Sequence, residues 1–193
     1  MAKHRNAPGR LRIVAGNWRG RRLPVPDVAG LRPTAERVRE TLFNWLTPWI
    51  HGKRCLDLYA GTGALGLEAL SRGAASCRFV ERDPKAFRQL RRNLDTLGAA
   101  TAVLVRGDAL ESLTDIEPAS VDIAFLDPPF QAGSLDAVCR RIAESGILAP
   151  AAKVYVEADR AAGLPALPDA WRVAKSSRAG NVCYALVDTH VGE

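Results

Sequence analysis

Histidine, cysteine and methionine are scarce in this chain of 193 residues, which has three, four and one of them respectively. His4, His51 and His190 lie too far apart to build a metal cluster at short spacing, so no metal is expected. Cys55, Cys77, Cys139 and Cys183 include no C-x-x-C pair, and each sits in an apolar stretch. That excludes a disulfide framework and predicts buried free thiols in a cytoplasmic protein. A run of about 18 apolar residues is missing, so no membrane span is expected. The start, Met1 to Arg12, is basic and polar and shows no apolar core of a secretory signal. Internal repeats and low-complexity tracts are also missing, and no oligomerisation signal stands out, so a monomer is expected.

What is present is ordinary for a globular chain: 47% hydrophobic and 25% charged residues, which excludes wholesale disorder. At this length about 70% of the unfolded surface can be buried, enough for one self-sufficient domain. The net charge of +6 is unevenly spread. Residues 1–54 hold twelve Lys and Arg against three Asp and Glu, a net of +9, and the remainder is −3. A basic front on a slightly acidic body suggests a polyanionic partner, although a solvated tail has the same composition.

Arg10 to Ala15 alternates as a half-buried strand, with Leu11, Ile13 and Ala15 on one face. Turn residues from Gly16 to Gly20 and a return over Arg21 to Val25 predict a basic β-hairpin. Trp18 in that turn either stacks on a base or packs on its own domain. Pro24, Pro26, Gly30 and Pro33 then impose an irregular stretch. Thr34 is placed to cap a helix whose apolar stripe is Val38, Thr41, Leu42, Trp45 and Leu46. Arg37 and Arg39 fall off that stripe and are expected to face solvent or a ligand.

From residue 54 the pattern changes. Strands are predicted over 54–59, 76–81, 101–106, 121–126 and 152–157, with helices over 64–72, 84–97, 108–113 and 134–146. Repeated βα units imply a parallel sheet covered on both faces. The runs 171–178 and 181–188, around Ala179-Gly180, read as a hairpin that closes the sheet with an antiparallel edge strand.

Gly61-Thr62-Gly63-Ala64-Leu65-Gly66 is a G-x-G-x-x-G between a predicted strand and a predicted helix, the context in which glycines let a backbone approach a nucleotide-like ligand. Glu81 ends the next strand, where a carboxylate accepts from ribose hydroxyls. Asp108 follows the third strand, facing an adenine amino group or capping the next helix. Asp57 lies four residues before the glycines; it disfavours a pyrophosphate there and suits an ammonium group or a positive sulfur. Asp127-Pro128-Pro129-Phe130 ends the fourth predicted strand. Its prolines lack N–H donors, so the turn presents acceptors, and Asp127 with the Pro128 carbonyl can hold an exocyclic amine while Phe130 stacks on its ring.

With D-L-Y-A-G-T-G and D-P-P-F in place, the chain resembles a class I S-adenosylmethionine-dependent methyltransferase. More narrowly it resembles the RsmD family, which modifies guanine N2 in small-subunit (16S) ribosomal RNA. The segments R-I-V-A-G-N-W-R-G-R-R-L-P-V-P, L-R-P-T-A-E-R-V-R-E-T-L-F-N-W-L and C-L-D-L-Y-A-G-T-G-A-L-G-L-E-A-L-S-R-G-A carry that likeness, which runs from about Arg12 to Val187. The resemblance implies a Rossmann-like α/β fold, with a seven-stranded, mostly parallel sheet whose last strand is antiparallel. A hairpin extension over 1–33 would precede a methyltransferase domain over 34–193. It also implies S-adenosylmethionine bound by Asp57, Tyr59, Ala60, Gly61, Thr62, Gly63, Glu81, Arg82, Asp108 and Ala109. Asp127, Pro128, Pro129 and Phe130 would serve catalysis, and Arg19, Arg21, Arg22, Arg32 and Arg37 would contact ribosomal RNA, free or within a small-subunit particle. The alternatives are an amino-methyltransferase acting on another RNA or DNA base, a nicotinamide-dependent oxidoreductase and a catalytically silent RNA-binding module. In 193 residues no separate target-recognition or hydride-acceptor domain is expected, which weighs against a DNA-acting enzyme and an oxidoreductase.

Overall fold

A computed structural model describes residues 9–129 and 135–189. Two short strands, β1 (Arg10–Arg12) and β2 (Arg22–Pro24), pair antiparallel, with Leu11 opposite Leu23. Helix α1 (Glu36–Leu46) follows. Alternation then begins with β3 (Arg54–Asp57), α2 (Ala64–Ser71), β4 (Ser76–Glu81), α3 (Pro84–Leu97) and β5 (Ala102–Arg106). A short 3-10 turn, Glu111–Asp115, leads to β6 (Val121–Leu126). The chain ends with α4 (Leu135–Glu144), β7 (Leu148–Asp159), β8 (Arg172–Ala179) and β9 (Val182–Asp188).

The main sheet has seven strands in the order β5-β4-β3-β6-β7-β9-β8. Strands β3 to β7 run parallel, and β9 is antiparallel to both of its neighbours. The expected antiparallel strand is therefore present, but it is not the edge. The reason lies in composition: β9, V-C-Y-A-L-V-D, buries its five central residues, whereas β8, R-V-A-K-S-S-R-A, is mostly exposed. The apolar arm of the hairpin takes the interior position and the polar arm the edge.

One face of the sheet carries α1, α2, α3 and the N-terminal hairpin; Leu11, Ile13, Leu23 and Val25 share a core with Leu42, Phe43, Leu67, Phe79 and Leu90. The other face packs Val138, Cys139 and Ile142 of α4 and Trp171 on Leu56, Ala124 and Val154. The hairpin is fastened through buried Glu68 of α2, whose carboxylate accepts from the amides of Val14 (2.9 Å) and Ala15 (3.0 Å). The same carboxylate accepts from Arg39 Nη1 (3.2 Å) and Arg72 Nε (2.8 Å). Arg39, expected to face solvent or a ligand, is buried instead, because the hairpin and the segment before α1 cover that flank of the helix. At Gly16 (φ +80°) a Cβ would lie 1.8 Å from the Ser71 carbonyl oxygen, so the turn sits directly on the end of α2. Trp18 packs on this core, and all four cysteines are buried and free. No helix among the described residues is long and apolar enough to cross a membrane.

Candidate active site

In a doubly wound sheet the ligand crevice opens at the carboxyl ends of the strands, where the strand order reverses. Here the reversal falls between β3 and β6. Carboxylates stand at the ends of five adjacent parallel strands, and the strand order ranks them Asp108, Glu81, Asp57, Asp127 and Glu157. Four were legible in the sequence; Glu157 was not singled out. The readable signal was a carboxylate ending the strand A-K-V-Y-V-E, as Glu81 ends S-C-R-F-V-E.

The glycine loop links β3 to α2. Gly61 (φ +52°) and Gly63 (φ +78°) adopt left-handed conformations that glycine tolerates best. Asp57 Oδ2 accepts from the Gly66 amide (2.9 Å), so this buried carboxylate fixes the first turn of α2. Burial pushes its pKa up to about 7, opposed by that amide and reinforced by the Glu81 charge. At Gly66 a Cβ would lie 2.2 Å from Phe79 Cε1, so the third glycine of the motif lets the helix pack on β4. Tyr59 is half-buried beside the loop, with its hydroxyl pKa pushed up to about 12 by burial and then by the Asp108 charge. Ala60, Thr62 and Ala109 are buried and Arg82 is exposed.

Glu81 reaches across to the loop. Its Oε2 accepts from the Gly61 amide (2.7 Å) and its Oε1 from the Asp83 amide (2.6 Å). An ionised carboxylate has about four acceptor positions, so each oxygen keeps capacity for a hydroxyl donor. Asp108 stands before the 3-10 turn: its Oδ1 accepts from the amides of Leu110 (2.9 Å) and Glu111 (3.4 Å), and its exposed side chain keeps Oδ2 outside those bonds.

On the far side of the switch point, Asp127 and Pro128 leave β6. Thr34 does not cap α1, whose first residue follows Ala35 without a side-chain cap. Its hydroxyl instead donates to Asp127 Oδ2 (3.3 Å), and Leu31 lies over Gly61, with its Cδ1 2.8 Å from where a Cβ would stand. The proline-rich stretch before α1 thus touches both halves of the crevice. Parallel register pairs Leu126 with Val156, which makes Asp127 and Glu157 the next residues on neighbouring strands. Glu157 is buried, and its Oε2 accepts from the Tyr155 hydroxyl (2.6 Å). Asp127 titrates well above the usual carboxylate range through burial and then the Glu157 charge, opposed by the Thr34 hydroxyl. Glu157 is also raised by burial, opposed by the Tyr155 hydroxyl. Pro128 is buried and Pro129 exposed; Phe130 lies outside the described residues.

The basic residues separate into two groups. Arg32 and Arg37 are exposed on either side of Thr34, at the Asp127 end of the sheet. Arg19, Arg21 and Arg22 surround the hairpin turn, which is fastened to the carboxyl-terminal ends of α2 and α3 by Asn17 N to Ser71 O (2.7 Å) and Arg21 Nη2 to Thr96 O (3.2 Å). Those helices start at the crevice and run away from it, so the turn lies at the opposite end.

A family model described as conserved hypothetical protein 95 matches residues 11–188. Ribosomal RNA small subunit methyltransferase D of Escherichia coli (strain K12) is 48% identical over 178 residues, covering 92% of this chain and 89% of that protein. The protein of the same name from Haemophilus influenzae is 43% identical over 184 residues, covering 94% and 95%. Among solved structures, yhhF from Escherichia coli superposes with a TM-score of 0.87 at 44% identity, covering 94% of this chain and 99% of that one. A methyltransferase from Geobacter sulfurreducens, at 16% identity and a TM-score of 0.66, shares the fold over 82% of this chain and 81% of its own.

Proposed function

The chain belongs to the RsmD family of ribosomal RNA small subunit methyltransferases, and from that membership we propose that it transfers a methyl group from S-adenosylmethionine to the exocyclic N2 of a guanine in 16S ribosomal RNA. The observation that carries this reading is the pairing, across the switch point, of the glycine loop with Asp127-Pro128. A row of carboxylates suits a ligand bearing an ammonium group and a positive sulfur, and disfavours a pyrophosphate.

S-adenosylmethionine supplies an electrophilic methyl carbon and a neutral leaving group. Glu81 has the acceptor capacity for the ribose hydroxyls, and its two amide bonds hold it in place for them. Asp57 keeps the loop and α2 in register. Asp108 offers Oδ2 to the adenine amino group, and Ala109 beside it is a small buried wall.

The target amine donates to Asp127 and to the Pro128 carbonyl, which turns its lone pair toward the methyl carbon. Orientation of this kind supplies up to about 7–11 kcal/mol of the barrier. Methyl transfer to that amine would put positive charge on its nitrogen. Asp127 stabilises that charge and takes the proton released. Arg32 and Arg37 add a salt-dependent attraction for the RNA backbone near the site.

The test is transfer of labelled methyl from S-adenosylmethionine to naked 16S RNA, small-subunit particles and DNA, with the product nucleoside identified. N2-methylguanosine is expected from the RNA or the particles; label in none of the three refutes the proposal. Asp127→Ala should abolish transfer while cofactor affinity stays within about threefold, since Asp127 faces the amine.

A further inference from the structure

The end of the sheet beyond Glu157 carries a cleft with two arginines in its lining. The last residue of β7, Asp159, pairs with Val182 of β9, and the amide of Arg160 donates to the Asn181 carbonyl (2.8 Å). The β8–β9 turn is therefore held on the same rim as Asp127 and Glu157. Between that turn and the segment after β7 is an open cleft of about 440 Å³, lined by Arg160, Gly163, Ser176, Ser177 and Arg178, with Leu164 and Cys183 as its apolar part.

The lining is cationic and rich in donors. Arg160 and Arg178 are exposed, and among the described residues neither side chain is in a salt bridge. No lining residue is acidic. Asp159, the nearest carboxylate in sequence, turns its Oδ1 to the Ala161 amide (2.7 Å). Two guanidinium forks and two hydroxyls match phosphate oxygens, and guanidinium favours phosphate through paired N–H donors. Arg160 is three residues past Glu157, a reach of about 10 Å along an extended chain.

On the proposed reading of the chain as a ribosomal RNA methyltransferase, we infer that this cleft binds a phosphodiester of the substrate RNA next to the target nucleotide. The site is distinct from the hairpin turn, whose arginines lie at the other end of the sheet.

The experiment compares the wild-type chain with Arg160→Gln/Arg178→Gln and with a charge-matched control, Arg140→Gln/Arg141→Gln on the exposed side of α4. RNA affinity is measured against salt concentration, alongside KM and kcat for methyl transfer to small-subunit particles. The cleft variant should bind RNA about tenfold more weakly near 0.1 M salt. Its log–log salt slope should be shallower by about 1, the share of one phosphate contact. KM should rise, with kcat and cofactor affinity unchanged. Affinity and slope within twofold of wild type, or an equal loss in the control, overturn the site. A wild-type chain that binds RNA but transfers no methyl refutes the functional reading alone, and the binding comparison still judges the cleft. One that binds no RNA refutes both.

Discussion

Replacing Glu68 by Gln should unfold this protein more readily than any surface substitution. Each oxygen of that fully buried carboxylate takes two donors, Val14 N and Arg39 Nη1 on Oε2, Ala15 N and Arg72 Nε on Oε1. The amide would turn one of those oxygens into a donor facing two donors, and would leave the Arg39 guanidinium, only 3% exposed, without its counter-charge. Stranding one member of a buried ion pair costs about 3–5 kcal/mol, out of a total stability of about 5–15 kcal/mol. For a chain of this length that corresponds to a fall in Tm of roughly 6–20 °C. Urea unfolding by linear extrapolation is the assay. Arg39→Met should cost less, because Glu68 keeps Arg72 and two amides, and the Arg39→Met/Glu68→Met double variant should fall well short of the sum of the two single Met variants. A Glu68→Gln loss below about 1 kcal/mol, or additive Met variants, would refute the claim that this ion pair fastens the hairpin to the body.

Glu157→Gln removes a negative charge beside Asp127, whose carboxyl is raised by burial and then by that charge. The Asp127 pKa should fall, so the acid limb of the single-turnover pH–rate profile should move to lower pH; an unmoved limb contradicts coupling across β6 and β7. Asp57, raised to about 7 in the folded state against about 3.9 unfolded, binds a proton in the folded state through that interval. Its contribution to stability is therefore present at low pH and lost as pH rises toward and through 7, and Asp57→Asn should flatten the urea midpoint over that window. Gly16→Ala forces a Cβ to 1.8 Å from the Ser71 oxygen at φ +80°, and a stability loss above about 2 kcal/mol is expected in the same assay.

The elements legible in the sequence were those set by local pattern. Alternation gave Leu11 and Ile13 as the inward face of the first strand, and apolar runs separated by helical stripes gave the βα order. Glycine spacing after a strand gave the loop. Features that depend on contacts distant in sequence were not legible. Thr34 has a capping residue's chemistry, but its hydroxyl is drawn 93 residues along the chain to Asp127. Arg39 lies off the apolar stripe of α1 and is nonetheless buried, since Glu68 neutralises it from a second helix. A trace existed: α2, A-L-G-L-E-A-L-S, is buried throughout, and a carboxylate in such a helix requires a cation from elsewhere. The hairpin signal around Ala179-Gly180 was correct, but which arm faces the neighbouring strand follows from comparing two burial patterns across the sheet.

The charge partition shows the same divide, and it constrains how RNA can lie on this surface. The +9 of residues 1–54 suggests one basic front for a polyanionic partner. In the fold, Arg39 is neutralised internally, Arg12 and Arg54 are in ion pairs with Glu36 and Asp122, and the hairpin-turn arginines stand at the far end of the sheet. The crevice itself carries carboxylates on five adjacent strands, and phosphates are repelled there. Screening at physiological salt acts over about 8 Å, so a backbone passing directly over that row would feel it. On the proposed function, the backbone must therefore stay on the basic residues around that row, Arg32 and Arg37 beside Thr34 and Arg160 and Arg178 beyond Glu157. Only the target base, whose exocyclic amine is a donor, descends to the carboxylates. That arrangement requires a nucleotide already unstacked or turned out of its helix, which favours a loop or an extruded guanine over a paired one.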